Sequence, residues 1–185
     1  MAKYILASQS PRRKQLLEWA EIDFEIVIQN TDESYPHHLE PKEVAIYIAE
    51  QKAKAVFQHH PDKTIIAADT IVVLNNEIIG KPKDREDAIS ILSKLSGKKH
   101  LVITGVNIKN NKKEKSFADV TEVEFHELNA GQIEFYVDKY KPYDKAGAYA
   151  IQEWIGVVGI KCIHGDFYNV MGLPVSRVVQ TLQQF

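Results

Sequence analysis

Apolar and polar positions along the chain alternate between the two-residue period of strands and the three-to-four-residue period of helices. Short apolar runs predict strands at 4–7, 24–28, 64–68, 71–74, 77–79, 100–108, 117–125 and 156–163. Capping residues and apolar stripes predict helices that begin near Ser10, Pro41, Asp84, Asn129 and Leu173. The first strand, a tight loop and the first helix follow each other directly.

The loop before the first helix carries an unusual charge pattern. Ser10 is a favourable N-cap and Pro11 suits the first helical position. Arg12 and Arg13 then fall in the first turn, where the positive end of the helix dipole disfavours cations. An anion bound by the dipole, the guanidinium groups and the hydroxyls of Ser8 and Ser10 would explain this pattern, and phosphate is the obvious candidate. The alternative is a pair of arginines exposed to solvent.

Two lysines also stand where a solvated lysine is not expected. Lys52 projects from the apolar side of the helix that begins at Pro41, so its ammonium either reaches outward to water or meets an anion. Lys81 lies between Gly80 and Pro82, and the proline keeps it out of a helix, so the side chain is presented from a rigid loop.

Asp69 follows the continuous apolar run 64–68, which is typical of a strand buried on both faces. Ligand sites in α/β sheets gather at strand ends, so a carboxylate at this point is well placed for chemistry. An ordinary aspartate that caps the next turn is the alternative.

Length, net charge and cysteine content limit the kinds of protein that this chain can be. The 185 residues are 44% hydrophobic and favour one domain, and the net charge of −2 argues against a nucleic-acid or membrane partner. Cys162 is the only cysteine, which excludes an internal disulfide and favours a reducing, cytoplasmic setting. We expect neither a signal peptide nor a membrane span.

Taken together, four cations and a few carboxylates predict a polyphosphate site. Arg12, Arg13, Lys52 and Lys81 would neutralise phosphate oxygens, while Glu33 and Asp69 could hold Mg²⁺ or Mn²⁺ or orient a water molecule. The chain has no Walker-type glycine-rich loop and no Gly-x-Gly-x-x-Gly motif, so kinase, GTPase and dinucleotide-binding functions lack support.

Several ordered motifs resemble the Maf family of nucleoside triphosphate pyrophosphatases across the whole chain. They are Ser8–Arg13, Ala67–Thr70, Gly80–Pro82, Asp144–Tyr149, Ile151–Gln152 and Gly165–Pro174. The resemblance implies one Maf-like domain over residues 1–185, with an α/β fold similar to that of inosine triphosphate pyrophosphatases. In that fold an elongated, twisted, mixed sheet is flanked by helices, and the substrate lies in a cleft between two lobes.

The resemblance implies metal-dependent hydrolysis of a nucleoside triphosphate between its α- and β-phosphates. The catalytic carboxylate of the family corresponds to Asp69, with Glu33 completing the metal or water site. Ser8, Arg13, Lys52 and Lys81 correspond to residues that bind the phosphates. A homodimer is also implied.

Three positions separate substrate preferences within the family, and they correspond to Arg12, Thr70 and Gln152 of this chain. These three residues resemble those of the dTTP/UTP branch. A glutamine amide can donate to and accept from the edge of a pyrimidine. Glu153 and Trp154 depart from the family pattern, in which glycine usually follows Gln152, so base selectivity is less defined than the chemistry. The alternatives are a pyrophosphatase for ITP, XTP or 7-methyl-GTP, and a non-catalytic, nucleotide-binding regulator of septum formation.

Overall fold

A computed structural model describes residues 3–185, and this part of the chain forms a mixed α/β fold. The strands are β1 (Tyr4–Leu6), β2 (Phe24–Ile26), β3 (Thr64–Leu74), β4 (Glu77–Ile79), β5 (Lys99–Lys109), β6 (Glu114–Phe125) and β7 (Ile160–His164). The helices are α1 (Pro11–Trp19), α2 (Pro41–Phe57), α3 (Arg85–Leu95), α4 (Ala130–Tyr140), α5 (Trp154–Gly159), α6 (Phe167–Met171) and α7 (Val175–Leu182).

The strands of the described residues belong to one sheet of seven, in the order β2-β1-β3-β5-β6-β7, with β4 paired to β3. Strand β1 runs parallel to both β2 and β3, whereas β4 is antiparallel to β3 and β7 is antiparallel to β6. This mixed sheet with its helices confirms the predicted α/β class.

The chain packs as two compact units. The first unit contains the residues up to Thr70 together with Thr104–Asp119 and Gly172–Phe185, and the second contains Ile71–Ile103 and Val120–Met171. Three of the four boundaries fall inside β3, β5 and β6, so each of these strands contributes residues to both units, and the fourth lies between α6 and α7.

The core of the first unit lies between helix α2 and strands β1 and β3. Its buried side chains are Ile5, Ala7, Ala53, Val56, Ile65 and Ala67. The apolar stripe predicted from the sequence therefore buries α2 against the sheet, and this packing fixes the helix that carries Lys52.

The core of the second unit lies around helices α3 and α4. It includes Leu92, Leu95, Ile133 and Tyr136, and a group of edge-to-face rings formed by His100, Phe125 and Tyr149.

Most predicted helix ends and turns are confirmed. Asp84 accepts a hydrogen bond from the Asp87 amide at the start of α3, and Asn129 forms a capping box with Gln132 at the start of α4. Asn75 and Asn76 have φ of 51° and 66°, the conformation predicted for the turn between β3 and β4.

Strand β3 differs from the prediction that a buried strand ends at Asp69. It continues without a break from Thr64 to Leu74, so Asp69 and Thr70 lie in the middle of an eleven-residue strand. Neither residue caps a turn. Polar side chains are tolerated there because Asp69 and Thr70 are only partly buried, while the other nine strand residues are buried.

The strand predicted over 156–163 is wrong in its first half. Residues Trp154–Gly159 form helix α5, and only Ile160–His164 form a strand. A Cβ on Gly156 would lie 1.7 Å from the Ile151 carbonyl oxygen, so the local turn depends on this glycine. Val157 is apolar but 80% exposed, so its hydrophobic side chain does not mark a buried strand and the prediction made from it was wrong.

Within residues 3–185, no helix combines the length and apolar character needed to cross a bilayer.

Candidate active site

The start of helix α1 has the predicted local structure. The Ser10 hydroxyl accepts a hydrogen bond from the Arg13 amide at 3.5 Å, and Pro11 occupies the first helical position. The Ser8 hydroxyl accepts from the Ser10 amide at 3.2 Å, which fixes the loop between β1 and α1. This geometry sets the direction in which Arg13 leaves the helix.

Arg13 is buried and holds three polar groups at once. Its Nη1 donates to the Ser8 hydroxyl at 3.1 Å, its Nη2 donates to the Thr70 hydroxyl at 3.0 Å, and its Nε donates to the Gly172 carbonyl at 2.8 Å. The planar fork of donors therefore connects the β1–α1 loop, the middle of β3 and the chain before α7. The alternative of two solvated arginines is wrong for Arg13.

The charge environment of Arg13 includes both candidate carboxylates. Burial lowers the pKa of its guanidinium, the charge of Asp69 raises that pKa, Arg12 lowers it and Glu33 raises it. An arginine stays protonated under such conditions, so a fixed positive charge stands within electrostatic reach of Asp69.

Two residues in the hydrogen-bond network around Arg13 and Thr70, Thr104 and Gly172, were given no role from the sequence. Thr104 on β5 places its hydroxyl 2.9 Å from that of Thr70, and Gly172 supplies the carbonyl that Arg13 binds. Gly172 has φ of 122°, a conformation that favours glycine. Its place in the motif Gly165–Pro174 was a usable signal, whereas Thr104 has no distinguishing local pattern.

Lys52 lies between two carboxylates. Its Nζ is 2.7 Å from Asp69 Oδ1 and 2.8 Å from Glu33 Oε1. The side chains of Lys52 and Asp69 are 17% and 14% exposed, and that of Glu33 is 50% exposed. The ammonium thus meets anions, as one of the two sequence hypotheses expected, and these anions belong to the protein itself.

The periods of α2 and β3 explain why Lys52 and Asp69 meet. Ile65 and Ala67 on β3 face α2, and Asp69 is two residues further along the same strand face. On α2, Lys52 stands one turn before Val56, which packs on that face. Lys52 and Asp69 therefore lie at the solvent-facing edge of the apolar contact between α2 and β3.

Neighbouring residues of β3 reach different helices. Asp69 contacts Lys52 of α2, whereas Thr70 contacts Arg13 of α1. This division follows from the alternation of side chains along a strand. The first unit therefore holds one group formed by Ser8, Arg13 and Thr70 and another formed by Glu33, Lys52 and Asp69.

The remaining predicted site residues are Arg12, Lys81 and Gln152. Arg12 is half buried next to Arg13. Lys81 and Gln152 are exposed residues of the second unit, and the loop of Lys81 is fixed where the Gly80 carbonyl accepts from the Gly147 amide at 3.1 Å.

The carboxylates suit a hard divalent cation. Glu33 and Asp69 both place an oxygen within 2.8 Å of one cationic atom, which shows that they converge on a single point. Among residues 3–185, no group of three or more His, Cys, Asp or Glu side chains is arranged to hold a metal. Mg²⁺ often uses one or two protein carboxylates and completes its shell with water and substrate phosphates, so this pair fits such an ion.

This fold is shared with a solved protein of similar size. The structure of the Staphylococcus aureus Ham1 protein matches with a TM-score of 0.55 at 18% identity, covering 98% of this chain and 97% of that one. The fold and the site define a mixed α/β protein in which a carboxylate in a central strand contacts a mostly buried lysine and lies within electrostatic reach of a buried arginine.

The family model described as Maf-like protein matches residues 3–185, and the chain belongs to this family. A relative from Cytophaga hutchinsonii named dTTP/UTP pyrophosphatase is 54% identical, covering 97% of this chain and 83% of the relative. A relative from Phocaeicola vulgatus with the same name is 49% identical, covering 98% and 95%.

Proposed function

We propose that this protein is a nucleoside triphosphate pyrophosphatase that hydrolyses dTTP and UTP to the nucleoside monophosphate and pyrophosphate. The relatives from Cytophaga hutchinsonii and Phocaeicola vulgatus, both named dTTP/UTP pyrophosphatase, support this substrate class. The structural observation that carries the chemistry is the Asp69 carboxylate, which is oriented by Lys52 and still reachable from solvent.

In the proposed reaction Asp69 acts as the general base. A water oxygen attacks the α-phosphorus while Asp69 accepts the proton that this water loses. The bond between the α-phosphorus and the oxygen that bridges to the β-phosphate breaks, and pyrophosphate leaves with that oxygen. Lys52 holds one Asp69 oxygen at 2.7 Å, which limits rotation of the carboxylate.

The basic residues have the complementary task of neutralising the triphosphate. We assign this role to Arg12, Arg13, Lys52 and Lys81, with the Ser8 hydroxyl as a further donor. Arg13 is already fixed by three contacts, so little rotamer freedom is lost when a phosphate binds near it.

A divalent cation is the proposed cofactor, and Glu33 and Asp69 are the residues that would hold it. Such an ion supplies positive charge that stabilises the negative charge developing on the phosphate oxygens. Selection of the base is assigned to Arg12, Thr70 and Gln152, as the family resemblance implies.

The test is release of pyrophosphate from a panel of nucleotides. With Mg²⁺ or Mn²⁺ we expect turnover of dTTP and UTP to exceed that of ITP, XTP and 7-methyl-GTP. Asp69→Asn should lower kcat by about 10²- to 10⁴-fold because the base is lost. Asp62→Asn, which changes an exposed carboxylate of the same unit, is the matched control and should keep its activity.

Each outcome of this assay has a distinct meaning. Preference for a purine nucleotide would move the protein to the purine-directed class. Binding of nucleotides by the native protein without any turnover would support the regulatory alternative instead. Full activity in Asp69→Asn would remove Asp69 from its catalytic role.

Three further properties belong to the proposal. A cytoplasmic location is consistent with the single cysteine, and the net charge of −2 argues against nucleic acid as a partner.

We also propose that the chain is one Maf-like domain over residues 1–185 and that it forms a homodimer. Light scattering can measure the mass of this homodimer.

A further inference from the structure

Two adjacent side chains fasten the segment after Gln152 to helix α4. The Glu153 carboxylate accepts a hydrogen bond from the Tyr136 hydroxyl, and the Trp154 ring packs edge-on against Phe135 with centroids 4.8 Å apart. Tyr136 and Phe135 are neighbours on α4. The chain leaving Gln152 is therefore held at two consecutive positions.

The Tyr136 hydroxyl also holds the chain that enters Gln152. It accepts a hydrogen bond from the Ala150 amide at 3.2 Å while it donates to Glu153. The Tyr136 side chain is fully buried, and its ring stacks on Tyr140 at 5.0 Å. One rigid hydroxyl thus fixes the backbone on both sides of the exposed Gln152.

Glu153 has a second partner in Lys145. The Lys145 Nζ lies 3.6 Å from Glu153 Oε1 and 2.8 Å from Asp144 Oδ1, and its side chain is only 9% exposed. A buried ammonium requires such partners, so Glu153 also helps to hold the loop that contains Lys145. Both oxygens of Glu153 are engaged.

We infer that Glu153 is a positioning residue for base selection, acting through Tyr136 to hold Gln152 in the orientation that binds a pyrimidine. This inference rests on the proposed function and on the assignment of Gln152 as a base contact. A segment ordered before binding costs less conformational entropy when the base arrives. Loss of the attachment should therefore weaken substrate binding and leave the chemical step at Asp69 unchanged.

The experiment measures kcat and KM for dTTP and ITP in Glu153→Ala, Tyr136→Phe and the double variant. Each single variant should raise the KM for dTTP by about tenfold, the factor that corresponds to one lost hydrogen bond, with kcat within about twofold of native. The double variant should raise the KM for dTTP by less than the product of the two single effects, because both changes break the contact between Glu153 and Tyr136.

Two further variants separate positioning from general damage. Glu153→Gln can still accept from Tyr136 and should recover most of the native KM. Tyr140→Phe removes a hydroxyl from the ring that stacks on Tyr136 and keeps both hydrogen bonds of Tyr136, so it should leave both constants unchanged. Melting temperatures of all variants establish that they fold.

An unchanged KM for dTTP in both Glu153→Ala and Tyr136→Phe would overturn the inference. So would an equal rise in KM for dTTP and ITP, because that result would show no link to the base. The proposed function is judged separately by the native protein, since its failure to hydrolyse dTTP and UTP would appear before any variant is compared.

Discussion

At the scale of single residues, the ammonium of Lys52 has the most unusual environment in the site. It is mostly buried and is shared between Glu33 and Asp69. A buried ion pair adds little net stability, yet removal of one partner is costly because the other charges remain desolvated. Lys52 therefore separates two like charges and orients the carboxylate that we propose as the base.

Lys52→Met keeps the length of the side chain and removes its charge. We expect kcat/KM for dTTP to fall by about 10²-fold or more, since Asp69 loses its orienting partner and the phosphates lose a cation. Urea unfolding should show a loss of about 1–3 kcal/mol. Lys54→Met, at an exposed position on the same helix, is the control and should change neither quantity appreciably.

His100 gives the second residue-scale prediction, on stability at low pH. The residue is 2% exposed and its Nε2 lies 2.7 Å from the Tyr149 hydroxyl. Burial lowers the pKa of His100 from its usual 6.5 to about 4. Between these values the unfolded chain takes up a proton that the folded chain does not, so the free energy of unfolding decreases as pH falls from 6.5 to 4.

The size of this effect is about 3 kcal/mol at pH 4, taking 1.36 kcal/mol per pKa unit. Urea unfolding of the native protein, His100→Gln and His126→Gln between pH 7.5 and 4 measures it. His100→Gln should lose less stability on acidification than the native protein. His126 is exposed and its variant should follow the native curve, so equal slopes in all three proteins would contradict the prediction.

Single residues were predictable from sequence where their chemistry conflicts with their surroundings. Arg13 and Lys52 were identified because a cation at a helix start or on an apolar face is costly. The partners of these residues were not predictable in the same way. Thr104 and Glu153 act through contacts with residues distant in sequence, and no local pattern distinguishes them from ordinary polar side chains.

At the scale of elements, helix α2 approaches strand β5 so closely that only glycine fits between them. A Cβ on Gly105 would lie 2.2 Å from the Ala45 carbonyl carbon and 2.4 Å from the Ile46 nitrogen. Both contacts are with backbone atoms, which cannot move aside by changing a rotamer. This close approach fixes the height of α2, and hence of Lys52, above the sheet.

Gly105→Ala should therefore destabilise the protein by about 3 kcal/mol, with a parallel loss of activity as α2 shifts. Urea unfolding and dTTP hydrolysis measure the two effects. Gly131→Ala is the matched control, because its Cβ would meet only Asn129 Oδ1 at 3.4 Å in an exposed helix turn. A similar stability for both variants would show that α2 can move away from β5 at little cost.

Elements were predictable where local signals agree. Caps placed α1, α3 and α4 within a residue or two, and paired asparagines located the turn after β3. The prediction failed in two places where tertiary packing decides the backbone. Asp69 and Thr70 look like the end of a strand but lie in the middle of a continuous one, and the residues Gly156–Gly159 look like a strand but form a helix.

At the scale of the whole molecule, the proposed activity depends on an added cation. The described residues offer a pair of converging carboxylates rather than a complete metal cage, so we expect weak, substrate-assisted binding of the ion. EDTA should lower dTTP hydrolysis by at least about 10²-fold, and excess Mg²⁺ or Mn²⁺ should restore it. Circular dichroism should stay unchanged with EDTA, and undiminished turnover in EDTA would contradict the assignment of Glu33 and Asp69 as metal ligands.

The overall architecture followed from the family resemblance more than from the local pattern. Hydrophobic periodicity predicts strands and helices, but it does not give the order of strands in the sheet, since this order depends on pairing between distant segments. The division of the chain into two compact units, with three of its four boundaries inside long strands, likewise has no signature in composition. The net charge argued against nucleic-acid and membrane partners, and the single cysteine argued against a disulfide. Neither property indicated where a binding site lies.

The placement of Asp69 inside an uninterrupted strand bears on how the protein responds to heat. Residues in the middle of a long paired strand exchange their amide hydrogens only through large openings, unlike residues on mobile loops. The carboxylate that we propose as the base should therefore keep its place until the sheet melts cooperatively. Thermal inactivation should coincide with the calorimetric transition instead of preceding it.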